Sequence, residues 1–450
     1  MKKMILIGLP LLLFCSMSGQ TQEPKQWSLE ECIRYAIEHN IDLKQKEQDK
    51  VNREIELSTS KNSWLPNLNA SVGQNFSYGR SQSEDNILVD RNAASTSASV
   101  NIGMPIFDGF KIPNDIAARK LDLKAAVESL NKAKEDLAVN VASFYVQVLY
   151  NKELREVAQL QVDLSTEQVR KTELLVKSGK APLAQLYEIK AQLARDEAGL
   201  VEAKNNVNLA LLDLSQALEL ERATTFEIEV PETEDVVNQY MGSILPPDDI
   251  YERAVTFKPQ IKEQEYLLES QKRTLQIAKA GYYPTLSFGA SYSNGYYHYS
   301  GKGSEGFQNI PFKDQWDQNA QKMFGFTLSI PIFNRFQVRN SVRSAKAAIY
   351  TRELLMENTK KTLYKEIQQA YYNAVASQEK FVSAEKSVEA SRIAHQYAEE
   401  SYNSGKSSVF EYNEAKTKYA TSLSEQAQAK YNYIFRVKIL DFYNGKPIVL

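Results

Sequence analysis

Residues able to do chemistry are few and widely spread in this sequence. The three histidines, His39, His298 and His395, have no spacing that would gather them on one metal ion. Gly301, Gly303 and Gly306 spell a G-x-G-x-x-G, but no helical pattern follows them, so a phosphate-cradling loop is not expected. There is no nucleophile elbow and no Walker-type run. Two cysteines, Cys15 and Cys32, make neither a disulfide framework nor a cysteine-rich metal site. The expectation is a protein that is not an enzyme and uses no cofactor. One pair of side chains is worth following. Glu411 and Glu414 are spaced i, i+3 within a helical pattern, which puts both carboxylates on one helix face. Taken alone, the pair reads equally well as a solvated face beside Lys416 and Lys418.

Composition narrows what could position such a pair. The chain has 450 residues, 54 basic and 56 acidic side chains and a net charge of -2, which excludes a polycation built to wrap nucleic acid. Charged residues at 24% and a mean hydropathy of -0.44 exclude a protein of many apolar membrane helices. The length would accommodate about three ordinary domains. Glycine (18) and proline (14) are scarce, so long uninterrupted elements are expected. At the N-terminus Lys2 and Lys3 precede an apolar run, Met4 to Phe14, and small polar residues follow to Gln20. Residues 1–20 therefore read as a bacterial secretion signal, with an apolar run too short to span a bilayer. Cys15 invites lipid attachment, but Phe14 stands where a lipid-modified cysteine wants a small residue.

The sequence is a duplication. Trp64-Leu65-Pro66-Asn67-Leu68 matches Tyr282-Tyr283-Pro284-Thr285-Leu286 at an offset of 218. Pro105-Ile106-Phe107-Asp108 matches Pro331-Ile332-Phe333-Asn334, and Ser178-Gly179-Lys180 matches Ser404-Gly405-Lys406, both at 226. Two halves follow, 28–220 and 248–445, joined by an acidic, proline-containing linker at 221–247 in which Phe226 to Val230 alternates like a short strand. Each half carries two period-2 stretches, about 66–79 and 96–107, then about 284–294 and 322–333, with one apolar face and one small polar face. Each is about the length of a tilted membrane-spanning strand, although a soluble sandwich would alternate too. The stretches Asn114 to Lys177 and Asn340 to Ser404 contain neither glycine nor proline and repeat at 3-4 spacing. At 1.5 Å per residue each makes about 95 Å of coiled-coil helix. Gly179 and Gly405 end these helices, and return helices make two hairpins, 112–220 and 336–443.

Four strands cannot close a barrel, and an open edge in lipid leaves unpaired backbone groups at several kcal/mol each. The strands must close with other copies of the chain. Two copies give eight strands and a filled interior; three give twelve and room for a lumen. The helices are too hydrophilic for lipid and must project into water.

With these features the sequence resembles the TolC family of outer membrane efflux proteins along essentially all of its mature length. The resemblance rests on Leu29-Glu30-Glu31 opening the first helix, Pro66 and Pro284 before strands, Pro105-Ile106-Phe107 and Pro331-Ile332-Phe333 after strands, and the duplicated glycine turns. It implies a mainly α fold with transmembrane β: a homotrimer with a twelve-stranded barrel in outer membrane lipid and an α-helical barrel through the periplasm of a Gram-negative bacterium. It implies partners too, a periplasmic membrane-fusion adaptor and an inner membrane pump of the RND or ABC type, and export of drugs, metals, toxins or proteins. Family members close their periplasmic end at the hairpin tips with acidic rings. Glu411 and Glu414 hold the corresponding positions here, with Gln185 and Glu188 in the first half and Tyr402 as a latch or a plain coiled-coil core residue. The turns Ser178-Gly179-Lys180 and Ser404-Gly405-Lys406 are the expected adaptor-docking tips, because a partner can reach them. Trp64, Phe107, Tyr282, Tyr283 and Phe333 at strand ends suit a membrane-interface belt or core packing. The loops Arg80 to Ser95 and Asn294 to Gln321 would face outside, the second with Tyr296, Tyr297, Tyr299 and Trp316 as a conceivable receptor surface. A soluble periplasmic scaffold and a passive pore or adhesin are the competing functions.

Overall fold

The computed structural model describes residues 26–82, 87–220, 226–231, 244–301 and 309–449. The expected secretion signal, Cys15, Gly303, Gly306 and most of 221–247 lie outside the described residues. In chain order the elements are β1 (Gln26–Trp27), α1 (Leu29–His39), α2 (Ile41–Asn62), β2 (Asn67–Ser77), β3 (Arg80–Gln82), β4 (Leu88–Asp90), β5 (Asn92–Phe107), α3 (Lys111–Lys177), α4 (Leu183–Ala217), β6 (Glu227–Ile228), α5 (Pro247–Phe257), α6 (Pro259–Ala280), β7 (Thr285–Ser300), α7 (Phe312–Gln318), β8 (Gln321–Ser329), α8 (Gln337–Asn403) and α9 (Val409–Tyr443).

Local signals set the helix boundaries. Ser28 and Glu31 form a reciprocal capping box that starts α1 at Leu29. Asn40 ends α1 and caps α2 by accepting from the Leu43 N–H at 3.1 Å. The helices α3 and α8 have 67 residues each, roughly 100 Å at 1.5 Å per residue, whereas their return helices α4 and α9 have 35 each. The return helices therefore cover only the tip-side half of each hairpin. The other half of α3 packs on α2 and α6, and that of α8 on α6. None of the described helices is long and apolar enough to cross a membrane.

The main core lies where these packing partners change. Val141, Tyr145, Val148 and Leu149 of α3 meet Ile367, Ala374 and Phe381 of α8, with Cys32 and Ala36 of α1, Leu214 of α4, Ile250 of α5 and Tyr433 of α9. The short parallel pair β1–β6 is tied to this core. The Tyr145 hydroxyl donates to the Glu229 carbonyl at 2.7 Å, and Lys152 donates to the Ile228 carbonyl at 3.1 Å. Burial pushes the Cys32 thiol up to about 12, with the Glu31 carboxylate adding to the shift, so the thiol stays protonated and inert.

Four strands form one antiparallel sheet in the order β2-β5-β7-β8. Its register lines up the apolar positions. Leu68 faces Ile102, Ile102 faces Ala290 and Ala290 faces Phe324; Met104, Phe288 and Phe326 form the next row. The neighbouring row on the other face is Asn67, Gly103, Gly289 and Gly325, and Ser71 and Ser99 share a hydrogen bond of 2.8 Å. The apolar face is bare: Val72 and Phe324 are each 79% exposed. Among the described residues both edges, β2 and β8, lack a partner strand. β8 stops at Ser329, although alternation was expected to carry it to 333, because Pro331 has no N–H for a ladder. In the first half Pro105 stays inside β5, at a register irregularity between Pro105 and Phe107. β7 also runs on past its expected end at 294 to Ser300.

The two strand-to-helix corners are the same structure 226 residues apart. Phe110 (φ 68) and Phe336 (φ 59) hold left-handed backbone, which costs a bulky residue on the order of 1–3 kcal/mol. Edge-to-face contacts of Phe107 with Phe110 at 5.2 Å and of Phe333 with Phe336 at 5.4 Å offset part of that strain.

Candidate functional site at the hairpin tips

Both hairpin tips close by one device. The Gly179 N–H donates to the Val176 carbonyl and the Lys180 N–H to the Leu175 carbonyl; Gly405 and Lys406 repeat this on Tyr402 and Ser401. Gly179 and Gly405 have φ of +72 and +74, and open space surrounds the Cβ each would carry. Glycine is thus required by backbone sign rather than crowding. The lysines Lys180 and Lys406 and the serines Ser178 and Ser404 remain exposed at the ends of the stem.

Above the turns the two halves meet. Gln185 Nε2 at the start of α4 donates to the Tyr402 hydroxyl at the end of α8, at 2.6 Å. Tyr402 stacks on Tyr412 of α9 (5.4 Å), and both sit in a small core with Ile189 and Val409. His395 of α8 continues the column, 5.7 Å from the rings of both Tyr412 and Tyr419. Next comes a buried charge pair. The Lys416 ammonium on α9 donates to Asp196 Oδ2 of α4 at 2.6 Å and to the Ser165 hydroxyl of α3, which also donates to Asp196. Gln192 donates to the other Asp196 oxygen at 2.8 Å. Burial pulls the Lys416 pKa down, against the opposing pull of Asp196.

The predicted acids separate. Glu188 and Glu414 line one groove of about 900 Å³ together with Arg195, Phe410 and Lys418. Glu411 does not line it. Its carboxylate accepts from the Ser408 N–H at 2.9 Å in a capping box that starts α9, so one member of the expected acidic pair is committed to its own helix. The strand-end aromatics gather at the corners. Trp64 and Phe107 are half-buried, Tyr282, Tyr283 and Phe333 exposed, and Phe110 bridges Phe107 and Tyr283. Sequence reasoning missed Lys416, Asp196 and His395 as members of the tip, and no local pattern marks them.

His395 is expected to make the tip pH-sensitive. It is 6% exposed, and its Nε2 has no partner among the described residues. Burial lowers its pKa below the usual 6.5; Glu399 on its own helix opposes this, while Lys416 on α9 adds to it, and Tyr412 and Tyr419 are its other facing groups. The folded pKa lies below the unfolded value, so the stabilisation is complete above about 6.5 and is lost as pH falls below it. Hydrogen exchange at pH 7 and pH 5 is expected to show acid-induced loss of protection in α9 around Tyr412 and Tyr419. The loss should be clearly smaller in His395→Gln; an equal loss in both proteins would remove His395 from the account.

Known proteins share the fold of this chain. A profile of the family described as outer membrane efflux protein matches residues 32–219 and 250–445. Outer membrane protein TolC of Escherichia coli strain K12 is 22% identical over 95% of this chain and 84% of its own length. Pyoverdine export outer membrane protein OpmQ of Pseudomonas aeruginosa is 26% identical over 61% of this chain and 55% of its own. Among solved structures, VceC of Vibrio cholerae superposes with a TM-score of 0.73 at 16% identity, covering 93% of this chain and 96% of its own. The CmeC outer membrane channel of Campylobacter jejuni gives 0.73 at 17%, covering 98% and 94%.

Proposed function

The chain belongs to the outer membrane efflux protein family, and from that premise we propose that it is the outer membrane duct of a tripartite efflux or type I secretion system. Three copies close a twelve-stranded barrel and, below it, an α-helical barrel crossing the periplasm. A membrane-fusion adaptor docks at the Ser178-Gly179-Lys180 and Ser404-Gly405-Lys406 turns, and an RND- or ABC-type pump supplies cargo. The observation that carries this reading is the four-stranded sheet with a bare apolar face and two unpaired edges, joined directly to helices of roughly 100 Å. Neither feature is tolerable in water for an isolated chain. Lipid suits the first and neighbouring copies suit the second.

In this reading the tips are the gate, the Gln185–Tyr402 bond is its latch, and Glu188 and Glu414 supply the acidic ring, with Glu411 held back in its capping box. One hydrogen bond contributes about 0.5–1.5 kcal/mol, so removing it raises the open population severalfold. Single-channel recording in planar bilayers tests this. Tyr402→Phe and Gln185→Leu are each expected to raise conductance severalfold over a nearly closed wild type, and the double variant to add little. A wild type already fully open and indifferent to both changes would favour a passive pore. Release of the mature protein from membranes by a high-salt wash would favour the soluble scaffold.

A further inference from the structure

The outer end of β7 carries a built aromatic surface that the gate and the stem do not use. β5 pairs with β7 out to Ser300, but β8 pairs with it only as far as Ser293, so among the described residues the opposite edge of 294–300 has no strand beside it. Side-chain amides replace that strand. Asn319 donates to the Gly295 carbonyl at 2.7 Å. Gln315 accepts from the Tyr297 N–H and donates to its carbonyl, and Asn309 does the same for Tyr299. Residues 295, 297 and 299 are the successive positions facing that edge, so the amides follow the period of a strand. Gln315 and Asn294 are buried in the process, and Asn294 donates to the Trp316 carbonyl at 2.6 Å. Helix α7 is thereby fixed along the edge.

The fixed helix displays its aromatics on the apolar side of the sheet. Even-numbered residues of β7 occupy that side, from Leu286 and Phe288 through Tyr292 to Tyr296 and His298. Phe312 lies 5.2 Å from the Tyr296 ring and 5.1 Å from Trp316, stacked on it. Lys322 faces Tyr292 across the strands on the same side. At 100° per residue, Phe312 and Trp316 share one face of α7 and Lys313 borders it, whereas Asp314 and Asp317 turn away. The result continues the apolar band beyond its outer limit as rings edged by lysine.

We propose that this shelf, Tyr292, Tyr296, Phe312 and Trp316 with Lys322, seats the phosphorylated saccharide headgroup of the glycolipid in the outer leaflet. The inference rests on the outer membrane duct reading, which places this end of the sheet at the external surface. Flat rings suit sugar faces, the ammonium suits a phosphate, and continuity with the lipid-facing band puts both at headgroup depth.

The test uses the full chain reconstituted in phosphatidylcholine vesicles containing rough lipopolysaccharide, the same glycolipid dephosphorylated, or phosphatidylglycerol. Lipid retained on the repurified protein is measured, with conductance recorded alongside. Wild type is expected to retain the intact glycolipid in preference to the other two. Lys322→Glu should lower retention roughly tenfold, and Lys322→Glu with Trp316→Ala should lower it further, with conductance unchanged. Equal retention by the variants, or equal binding of phosphatidylglycerol or dephosphorylated glycolipid, overturns the shelf while leaving the duct intact. A wild-type chain that neither stays in any vesicle nor conducts overturns both readings.

Discussion

Lys416→Met is expected to destabilise the tip-side half of the stem by about 3–5 kcal/mol, the cost of leaving a buried charge without its partner. The Lys416 side chain is 2% exposed and that of Asp196 12%, and water cannot replace the lost partner. Asp196→Leu is expected to cost a similar amount, since it strands the ammonium instead. The double variant Lys416→Met with Asp196→Leu should recover most of the loss, because both desolvation penalties vanish together. Ser165 donates to Asp196 and accepts from Lys416, so its hydroxyl is then orphaned at about 1–3 kcal/mol. Adding Ser165→Ala should recover that remainder as well. Thermal melts of the detergent-solubilised protein, with hydrogen exchange across α9, measure the cycle. Additive single and double effects would mean that the pair is not coupled. The pair also joins α3, α4 and α9 at one level of the stem. If the tips open as proposed, the pair would limit how far up the helices the opening spreads: Gln185 lies 11 residues before Asp196 on α4, roughly 16 Å at helical rise.

That pair shows where sequence reading stops. Lys416 and Lys418 look alike in the sequence and suggest a solvated face, yet Lys416 is buried and Lys418 exposed. The partner of Lys416 is 220 positions away, and no local periodicity encodes it. His395 likewise looks isolated until folding stacks it against two tyrosines. Features set by nearest neighbours were legible. The glycine turns need a positive φ, strand alternation needs two unlike environments, and a long run without glycine or proline leaves a helix uninterrupted. The identical turns and corners 226 residues apart follow because the same short signals recur. Strand ends were less legible because pairing decides them. The same Pro-Ile-Phe lies within paired β5 but beyond the end of edge strand β8. The amide substitutes for a missing strand along β7 were invisible, since Asn309, Gln315 and Asn319 read as ordinary loop residues until their partners on β7 are known.

Glu414→Gln combined with Glu188→Gln is expected to lower the cation-to-anion permeability ratio by roughly tenfold, the lower end of what field focusing in a charged constriction achieves. Both carboxylates are exposed in the same groove, and threefold symmetry would gather six of them. The opposing cations sit further from the tip: Arg195 is two helical turns past Glu188 on α4, and Lys418 one turn past Glu414 on α9. Within the groove, an ion moving away from the tip therefore passes the two acids before Arg195 and Lys418. Glu411 distinguishes this arrangement from a simple count of charges. Its carboxylate is held by the Ser408 N–H, so Glu411→Gln, which can still accept that bond, should change selectivity less than Glu414→Gln. Ser408→Ala should instead cost about 1 kcal/mol at the start of α9, with selectivity largely preserved. Reversal potentials in a potassium chloride gradient report the ratio directly, using a Tyr402→Phe background so that current can be measured. If Glu411→Gln shifts the reversal potential as far as Glu414→Gln, the capping box does not hold that carboxylate in the assembled channel. If neither Glu414→Gln nor Glu188→Gln shifts it, the constriction lies elsewhere on the stem.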